Sequence, residues 1–440
     1  MSDRGYQRAR PPEQYSIIVA DSTRIIRELF RGLPAEHIAV KACVKTGLEL
    51  ELALRDHRGV DAVFCDLNFT GEQRGLDQVA DLRAKGVMPV VTALILMSED
   101  SRKSTLLGGL DSLPDTILLK PFNIDTLHRK LNVVVPFRRE LAPLLALESE
   151  NQWAELLEQV RQTPRYQAYE KLEAKALIML GRHKEGAMLA HQALKRRPNV
   201  AWAMEALAHA AYRLGEVDRS EHLLQRLLSV HPYCLGAFDL LAAINLDRGD
   251  SLLAQKTLQG ALTLSVHSYA RNKMLGHIAY YNNDFPTAKA AYQRAFMYTA
   301  ADIRIQEEDL TNLLRVLLAQ GEDNVALQVL TTHQHKMQTS DIVQLLTPVL
   351  SRASTGHWGA FQQATKKGLV AIGMRSAPAV ELAALELALR ATLTEEATTR
   401  ASRLRSEVVF PQLAKAQQLL VDRLANLATR QNGLVTKPLT

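Results

Sequence analysis

Three glycines of this chain are spaced 34 residues apart, at Gly181, Gly215 and Gly249. Other residue types recur around them at the same interval. Small residues occupy one position of the period: Ala174, Ala208, Ala242 and Gly276. Apolar residues occupy two more: Ala190, Leu224, Leu258 and Tyr292, and then Ala193, Leu227, Ala261 and Ala295. This period constrains the fold strongly, because one such segment cannot bury its own apolar face and must stack on its neighbours.

Each period is predicted to form a helix, a tight turn and an antiparallel helix. Small residues allow the two helices to cross closely, and the glycine ends the first helix. Pro198 and Pro232 follow the second helix in the first two periods, where proline prevents the helix from continuing. The stacked pairs should form a superhelix with a concave groove.

This pattern resembles the tetratricopeptide repeat over at least residues 167–302, with a looser repeat around Gly321. We assign residues 167–336 to the repeats and 337–430 to an irregular helical continuation. Residues 136–166 should form a helical bridge that caps the stack. The resemblance implies a groove that binds a protein partner. Polar residues in or near the first helices of the third and fourth repeats are candidates to line it: Asn245, Arg248, Arg271, Asn272 and His277.

The first 135 residues have a different pattern, in which short apolar strands alternate with helices. The predicted strands are Tyr15–Ala20, His37–Val44, Ala62–Cys65, Ala93–Met97 and Thr116–Leu119. The predicted helices are Arg24–Leu33, Leu48–His57, Leu76–Lys85, a short one after Asp100, and Asp125–Val134. All-apolar strands that alternate with helices indicate an α/β domain, with a doubly wound parallel five-stranded sheet covered on both faces.

Polar side chains stand where four of these strands end. Asp21 ends the first strand, Asp66 the third, Ser98 the fourth and Lys120 the fifth. Ligand sites of doubly wound sheets lie at the carboxyl ends of the strands. The four side chains are therefore predicted to share one site.

Four segments carry a resemblance to the receiver domain of two-component response regulators. They are Val19-Ala20-Asp21-Ser22, Phe64-Cys65-Asp66-Leu67-Asn68, Met97-Ser98 and Leu119-Lys120-Pro121-Phe122. The resemblance covers about residues 15–134 and implies a flavodoxin-like receiver domain, which we place at residues 15–135.

The resemblance implies a role for each strand-end residue. Asp66 would be the phospho-acceptor, and Asp21, Asp66 and the backbone carbonyl of Asn68 would hold Mg²⁺, which prefers oxygen ligands. Lys120 would neutralise charge on the phosphoryl oxygens, and Ser98 would hydrogen-bond the aspartyl phosphate. Two simpler interpretations stay open. Asp21 can cap the following helix, and Lys120 can be a plain ion-pair partner of Asp66.

Two departures from the receiver pattern bear on this site. Ala20 stands where receivers carry the first acid of an acidic pair, so one carboxylate that organises Mg²⁺ is missing. The residue before Lys120 is a leucine, where receivers often carry an aromatic switch residue. Both departures concern the metal and the switch, whereas the acceptor itself is present.

The remaining features limit partners and location. The formal net charge is +6, but Lys and Arg alternate with acidic residues, which favours a solvated surface over a nucleic-acid stripe. The three cysteines, Cys43, Cys65 and Cys234, are far apart, which predicts a reducing cytoplasm. No apolar stretch approaches the ~20 residues of a membrane span. Residues 1–14 should form a flexible leader and 431–440 a frayed tail.

These observations predict a phosphorelay response regulator with Mg²⁺ as cofactor. Its input would come from a sensor histidine kinase or phosphotransfer protein, and its output would be a protein bound in the repeat groove or a receiver homodimer. It would be no enzyme beyond its own phosphorylation and dephosphorylation. Two alternatives are a phosphorylation-independent adaptor with a degenerate receiver, and a nucleic-acid-binding regulator. His333 and His335 lack further ligands at metal spacing, so we expect no zinc site there.

Overall fold

The computed structural model describes eleven segments of the chain: residues 14–34, 38–69, 75–84, 86–99, 115–163, 167–266, 268–297, 303–334, 340–353, 357–373 and 376–435. The chain divides into two compact units, Met1–Leu240 and Leu241–Thr440. The division lies inside the helical array, so the first unit contains both the sheet and the first repeats.

The first unit begins with a parallel sheet. Its strands are β1 Tyr15–Ala20, β2 Ile38–Val44, β3 Ala62–Asp66, β4 Ala93–Ser98 and β5 Thr116–Leu119. Their order is β2-β1-β3-β4-β5, and every neighbouring pair is parallel. Strands β3 and β4 are buried at every residue, as continuous apolar runs covered on both faces must be. The predicted doubly wound five-stranded sheet is confirmed.

Three helices of the described chain accompany the first four strands: α1 Arg24–Arg31, α2 Gly47–Asp56 and α3 Gly75–Ala84. The short helix predicted after Asp100 lies outside the described residues. Helix α1 packs on the sheet through Phe30, whose ring centroid is 5.2 Å from that of Phe64 and 5.7 Å from that of Phe122. This aromatic contact fixes α1 beside the residue that follows β1.

Helix α4 spans Ile124–Ser149 without interruption, although the sequence predicted an end at Val134. Its first half packs on the sheet through Leu127 and Leu131, and its second half packs on the first repeat helices through Leu141 and Leu144. It contains Pro136 and Pro143, each of which removes a backbone hydrogen bond. Burial of apolar side chains on both halves outweighs that loss, so the predicted boundary at residue 135 falls inside a helix.

The elements described after α4 are all helical. In the first unit lie α5 Trp153–Gln162, α6 Gln167–Met179, α7 His183–Arg196, α8 Ala201–Arg213 and α9 Val217–Val230, and α10 Leu235–Asp247 crosses into the second. In the second lie α11 Ser251–Leu264, α12 Tyr269–Tyr281, α13 Phe285–Met297, α14 Ile303–Ala319, α15 Asp323–Gln334, α16 Asp341–Ala353, α17 Trp358–Ile372, α18 Pro378–Arg390, α19 Thr394–Leu404, a 3-10 turn Phe410–Gln412 and α20 Lys415–Val435.

The period seen in the sequence is the period of the helices. The first helix of a pair begins at residues 167, 201, 235, 269 and 303, which are 34 residues apart. Gly181, Gly215, Gly249 and Gly321 adopt φ values between +73° and +82° in the turns, a conformation that glycine tolerates without steric cost. The recurring small residues Ala174, Ala208 and Ala242 are completely buried. The described helices from α6 to α15 therefore form a solenoid of the tetratricopeptide type. The later pairs begin at residues 341 and 378, so the 34-residue spacing is lost there, as predicted for the irregular continuation.

Helix α20 continues to Val435 and so enters the tail predicted for residues 431–440, while residues 436–440 lie outside the described residues. Among the helices that the structure describes, none is long and apolar enough to cross a membrane.

Candidate functional site

Three of the strand-end side chains meet at the carboxyl edge of the sheet. The Lys120 Nζ atom donates hydrogen bonds to Asp21 Oδ2 and to Asp66 Oδ1, each at 2.7 Å. The Asp21 side chain is completely buried, whereas the Asp66 side chain keeps 12% of its surface exposed. Two carboxylates thus converge on one cation, and Asp66 is the one that solvent can reach.

Asp21 is held by the chain around it. Its backbone N–H donates to the Val44 carbonyl at the end of β2, at 3.1 Å. Its Oδ1 atom accepts from the Thr23 N–H at 2.7 Å, just before α1 begins. Arg27 of α1 donates to the Asp21 carbonyl oxygen at 2.7 Å. One carboxylate oxygen therefore holds the turn before α1 and the other serves the site. Asp21 does not cap α1, because the N-cap residue is Thr23.

Asp66 is the last residue of β3, and its two oxygens have different partners. Oδ1 binds Lys120, and Oδ2 accepts from the backbone N–H of Asn68 at 3.1 Å. Asn68 itself is exposed beside the carboxylate. The Asp66 carboxylate is therefore oriented by one side-chain donor and one backbone donor.

Lys120 follows β5, and its backbone N–H donates to the Ser98 carbonyl oxygen at 2.9 Å. The next peptide bond, Lys120-Pro121, is cis. Burial by itself lowers the pKa of the Lys120 ammonium, but its hydrogen bonds to the Asp21 and Asp66 carboxylates offset burial and the pKa is raised. The side chain is thus a permanent cation between two carboxylates. The ion-pair interpretation of Lys120 is confirmed, because its ammonium pairs with both Asp21 and Asp66.

Ser98 ends β4 and is buried, and its carbonyl oxygen is the acceptor of the Lys120 N–H. The structure therefore brings the fourth and fifth strand ends into direct contact. All five sequence-predicted residues of the site lie at this edge of the sheet: Asp21, Asp66, Asn68, Ser98 and Lys120.

Two neighbours shape the site. Ala20 is completely buried and pairs in register with Cys65 of β3, so no carboxylate stands at this position. Gly75 begins α3, and a Cβ atom there would lie 2.1 Å from the Asp66 carbonyl oxygen. Any larger residue at position 75 would push α3 away from β3. Sequence reasoning missed Gly75, which is one of two glycines between Asp66 and Leu76; the other, Gly71, lies outside the described residues.

Cys65 precedes Asp66 in β3. It is completely buried, and burial raises the pKa of its thiol far above the ordinary value. A thiol that stays protonated is a poor nucleophile. Cys65 is therefore a core residue of the sheet.

The site offers oxygen ligands to a hard cation. The Asp21 Oδ2 and Asp66 Oδ1 atoms both lie within 2.7 Å of one nitrogen, so a single ion of suitable size could contact both. Carboxylate and carbonyl oxygens are the ligands that Mg²⁺ prefers. Within the described ranges, no cluster of three or more acidic, His or Cys side chains is arranged to hold a metal.

The predicted groove residues need a correction. Four of them, Asn245, Arg271, Asn272 and His277, are buried and bonded within the second unit. Arg271 donates to the Ser265 hydroxyl at 3.1 Å, and His277 Nδ1 lies 2.9 Å from the Tyr292 hydroxyl. Their polar groups pack between helices, where a partner cannot reach them. Only Arg248, in the turn after α10, is exposed.

The sequence matches no family model, and no curated protein matches it. Similar solved structures include a thermophilic TPR protein of Thermus thermophilus, with 16% identity, 40% of this chain and 97% of that chain covered, and a TM-score of 0.36. A tetratricopeptide repeat protein from Parabacteroides merdae has 10% identity, coverages of 62% and 98%, and a TM-score of 0.39.

The structure of Naa15/Naa10 bound to HypK-THB has 15% identity, coverages of 64% and 41%, and a TM-score of 0.38. With TM-scores this low, these similarities carry no argument about this chain. Its tetratricopeptide character rests on the 34-residue spacing of its own helices.

Proposed function

We propose that this chain is a response regulator of a phosphorelay, which accepts a phosphoryl group on Asp66 and signals through protein contacts of its helical repeats. The observation that supports the proposal is the convergence of Asp21, Asp66 and Lys120 at the carboxyl edge of a parallel sheet ordered β2-β1-β3-β4-β5. Ser98 ends the strand next to Lys120.

The chemistry assigned to Asp66 is a phosphoryl transfer. A carboxylate oxygen of Asp66 attacks the phosphorus of a phosphohistidine donor. The new P–O bond forms as the P–N bond breaks, and the donor imidazole leaves with the electron pair of that bond. Lys120 contacts Asp66, and in this proposal its ammonium neutralises charge on the phosphoryl oxygens. Hydrolysis of the acyl phosphate then restores the carboxylate.

Mg²⁺ would be held by the carboxylates of Asp21 and Asp66 and by the backbone carbonyl of Asn68. When bound, it would neutralise charge on the transferring phosphoryl group. Ala20 leaves the site one carboxylate short of the receiver pattern, and carboxylate count sets the affinity of such sites. We therefore expect weaker Mg²⁺ binding than in a receiver with the full acidic pair.

The first test is chemical labelling of the full chain. Incubation with acetyl phosphate and Mg²⁺ should add one phosphoryl group, measured by intact-protein mass spectrometry, and Asp66→Asn should abolish the addition. Asp56→Asn is the matched control, because Asp56 is an exposed aspartate at the end of α2. Equal labelling of the Asp66→Asn protein would disprove the assignment. If neither the unaltered chain nor the Asp56→Asn protein is labelled, the phosphorylation-independent adaptor becomes the better description.

A further inference from the structure

Helix α20 lies across the inner face of the repeats in the second unit. It packs on α18 and α19, the pair that precedes it, as the last helix of a stack would. It also packs on α12, although the pairs that begin with α14, α16 and α18 lie between them in the chain. A helix that only closed the end of a solenoid would contact the preceding pair alone. Helix α20 therefore covers a first-helix face that the stack would otherwise expose.

Basic side chains of α20 bind this face at two places. Arg423 donates to the Tyr281 carbonyl oxygen at 2.9 Å, and its guanidinium carbon lies 4.0 Å from the centre of the Tyr281 ring. This is the geometry of a cation–π contact combined with a hydrogen bond to the end of α12. Lys415 pairs with Asp247, the last residue of α10, at 3.1 Å. The helix thus reaches from α10 to α12.

The apolar contact has the periodicity of one helix face. Buried residues of α20 recur with helical spacing: Ala416, Leu420, Val421, Ala425 and Ala428. Ala416 joins the apolar cluster that contains Leu275 and Ile278 of α12. The opposite side, with Leu427 and Arg430, is exposed. An amphipathic helix laid in an apolar groove is a common mode of protein recognition, and here the chain supplies the helix itself.

Helix α18 is attached more firmly than α20. Arg315 of α14 donates two hydrogen bonds to Glu386 of α18, at 2.9 and 2.8 Å, and the Arg315 side chain is 2% exposed. Loss of either partner would leave a buried charge unpaired, which is strongly destabilising. In contrast, the Lys415 and Asp247 side chains are 48% and 35% exposed, and such pairs contribute little. Release of α18 would therefore leave Arg315 buried without its partner, whereas release of α20 breaks only an exposed ion pair along with its apolar and Arg423 contacts.

We propose that α20 is an intramolecular ligand of the face formed by α10 and α12, and that a partner's amphipathic helix of the same chemistry competes with it. That helix would carry a stripe of small apolar residues, an arginine that stacks on Tyr281 and a lysine that pairs with Asp247. The inference rests on the proposed function of the repeats as a protein-binding scaffold. Partner binding and docking of α20 then exclude each other.

The test uses the full chain with one charge reversed on α20. Arg423→Glu removes the stacking contact and places a carboxylate against the Tyr281 carbonyl, so α20 should undock. Arg430→Glu is the matched control, because it makes the same change on the exposed side of the same helix. The probe is a fluorescein-labelled peptide with the sequence of residues 415–435, and its binding is measured by anisotropy.

We expect the peptide to bind the Arg423→Glu protein about tenfold more tightly than the unaltered chain, because the site is vacated. Binding to the Arg430→Glu protein should match that of the unaltered chain. Hydrogen exchange of residues 415–435 should accelerate in the Arg423→Glu protein alone. Equal peptide binding to all three proteins would overturn the proposal, and so would exchange of α20 only through global unfolding.

A milder variant guards against misfolding of the Arg423→Glu protein. Lys415→Glu faces Asp247 with a like charge at an exposed pair, and it should shift peptide binding in the same direction by a smaller factor. No shift in a folded Lys415→Glu protein, together with none in Arg423→Glu, would also refute the proposal. Acetyl phosphate labelling of Asp66 is measured on the same proteins. It is expected to be unchanged, so failure of the phosphorelay proposal and failure of this one are separate results.

Discussion

Asp66 and Lys120 illustrate how much of the site depends on a few contacts. The Asp66 carboxylate has one oxygen on the Lys120 ammonium and the other on the Asn68 N–H. Asp21 shares the same lysine and is completely buried. Removal of Lys120 would leave two carboxylates facing each other without the cation that joins them. The lysine is thus the contact that connects the ends of three strands at this edge of the sheet.

The residue-scale prediction concerns the missing acid. Ala20→Asp should tighten Mg²⁺ binding by about tenfold, because a further carboxylate would stand beside Asp21 and the charge of the ligand set governs affinity. Isothermal calorimetry is the suitable measurement, because no tryptophan lies near the site to report binding by fluorescence. The three tryptophans, Trp153, Trp202 and Trp358, all follow α4 in the sequence.

Ser22→Asp is the control for this prediction, because it adds an acid next to Asp21 at an exposed position. It should change the affinity much less than Ala20→Asp does. If Ala20→Asp binds Mg²⁺ no more tightly than the unaltered chain, position 20 does not face the metal.

At the scale of the element, the sequence was most informative where a pattern repeats. The buried small residues, the turn glycines Gly181, Gly215 and Gly249 and the apolar strands were all located correctly, because burial and positive φ restrict residue type directly. Helix α4 was predicted too short, because Pro136 and Pro143 look like helix breakers. Only the tertiary contacts of both halves show why the helix continues. The sequence also missed two ion pairs, Arg138–Asp115 and Arg139–Asp61, because the helix was predicted to end before these arginines. Both pairs lie at the opposite edge of the sheet from Asp66.

Pairs of residues distant in the chain were also missed. Arg315 and Glu386 are 71 residues apart, and neither stands in a recognisable motif. The burial of the predicted groove residues was missed because it also depends on a partner elsewhere in the chain. His277 is polar, but its partner Tyr292 lies on the next helix. Periodicity locates a residue on a helix, but it does not say which face the neighbouring helices cover.

The element-scale prediction tests a helix crossing. Ala208 of α8 is completely buried, and its carbonyl oxygen accepts from the Ser220 hydroxyl of α9 at 2.8 Å. Ala208→Glu would force an unpaired carboxylate into this crossing, at a cost of about 3 kcal/mol or more in free energy of unfolding. The melting temperature of the full chain should fall accordingly.

Ala154→Glu is its control, because Ala154 is exposed in the first turn of α5, where an acidic residue is tolerated well. The control should melt at nearly the temperature of the unaltered chain. An Ala208→Glu protein that melts as the control does would place Ala208 outside the crossing.

At the scale of the molecule, the chain joins an α/β sheet domain to a helical array through one uninterrupted helix. The helical half should therefore fold without the sheet, provided that the second half of α4 is kept. Residues 136–435 should give a strongly helical circular dichroism spectrum with little strand signal. Leu141 and Leu144 bury their side chains against Leu156 and Tyr169, so a fragment that lacks them should be less stable.

The matched fragment for this prediction is residues 150–435, which omits the end of α4. Loss of two buried leucines corresponds to about 3–6 kcal/mol of apolar burial, so this fragment should melt lower than residues 136–435. Substantial β content in either fragment, or equal melting temperatures, would contradict the described architecture.

The unbroken course of α4 limits where the sheet domain can be exchanged for another domain. Each residue of an α-helix advances by about 1.5 Å and turns by about 100°. Deletion of one residue between Val135 and Leu141 would therefore rotate the first repeats by more than a quarter turn relative to the sheet domain. A flexible loop in place of the helix would absorb such a change. Chimeras that exchange the sheet domain for another should succeed only when the junction preserves helical phase. The sheet domain and the first repeats are thus joined with a specified angle as well as a specified distance.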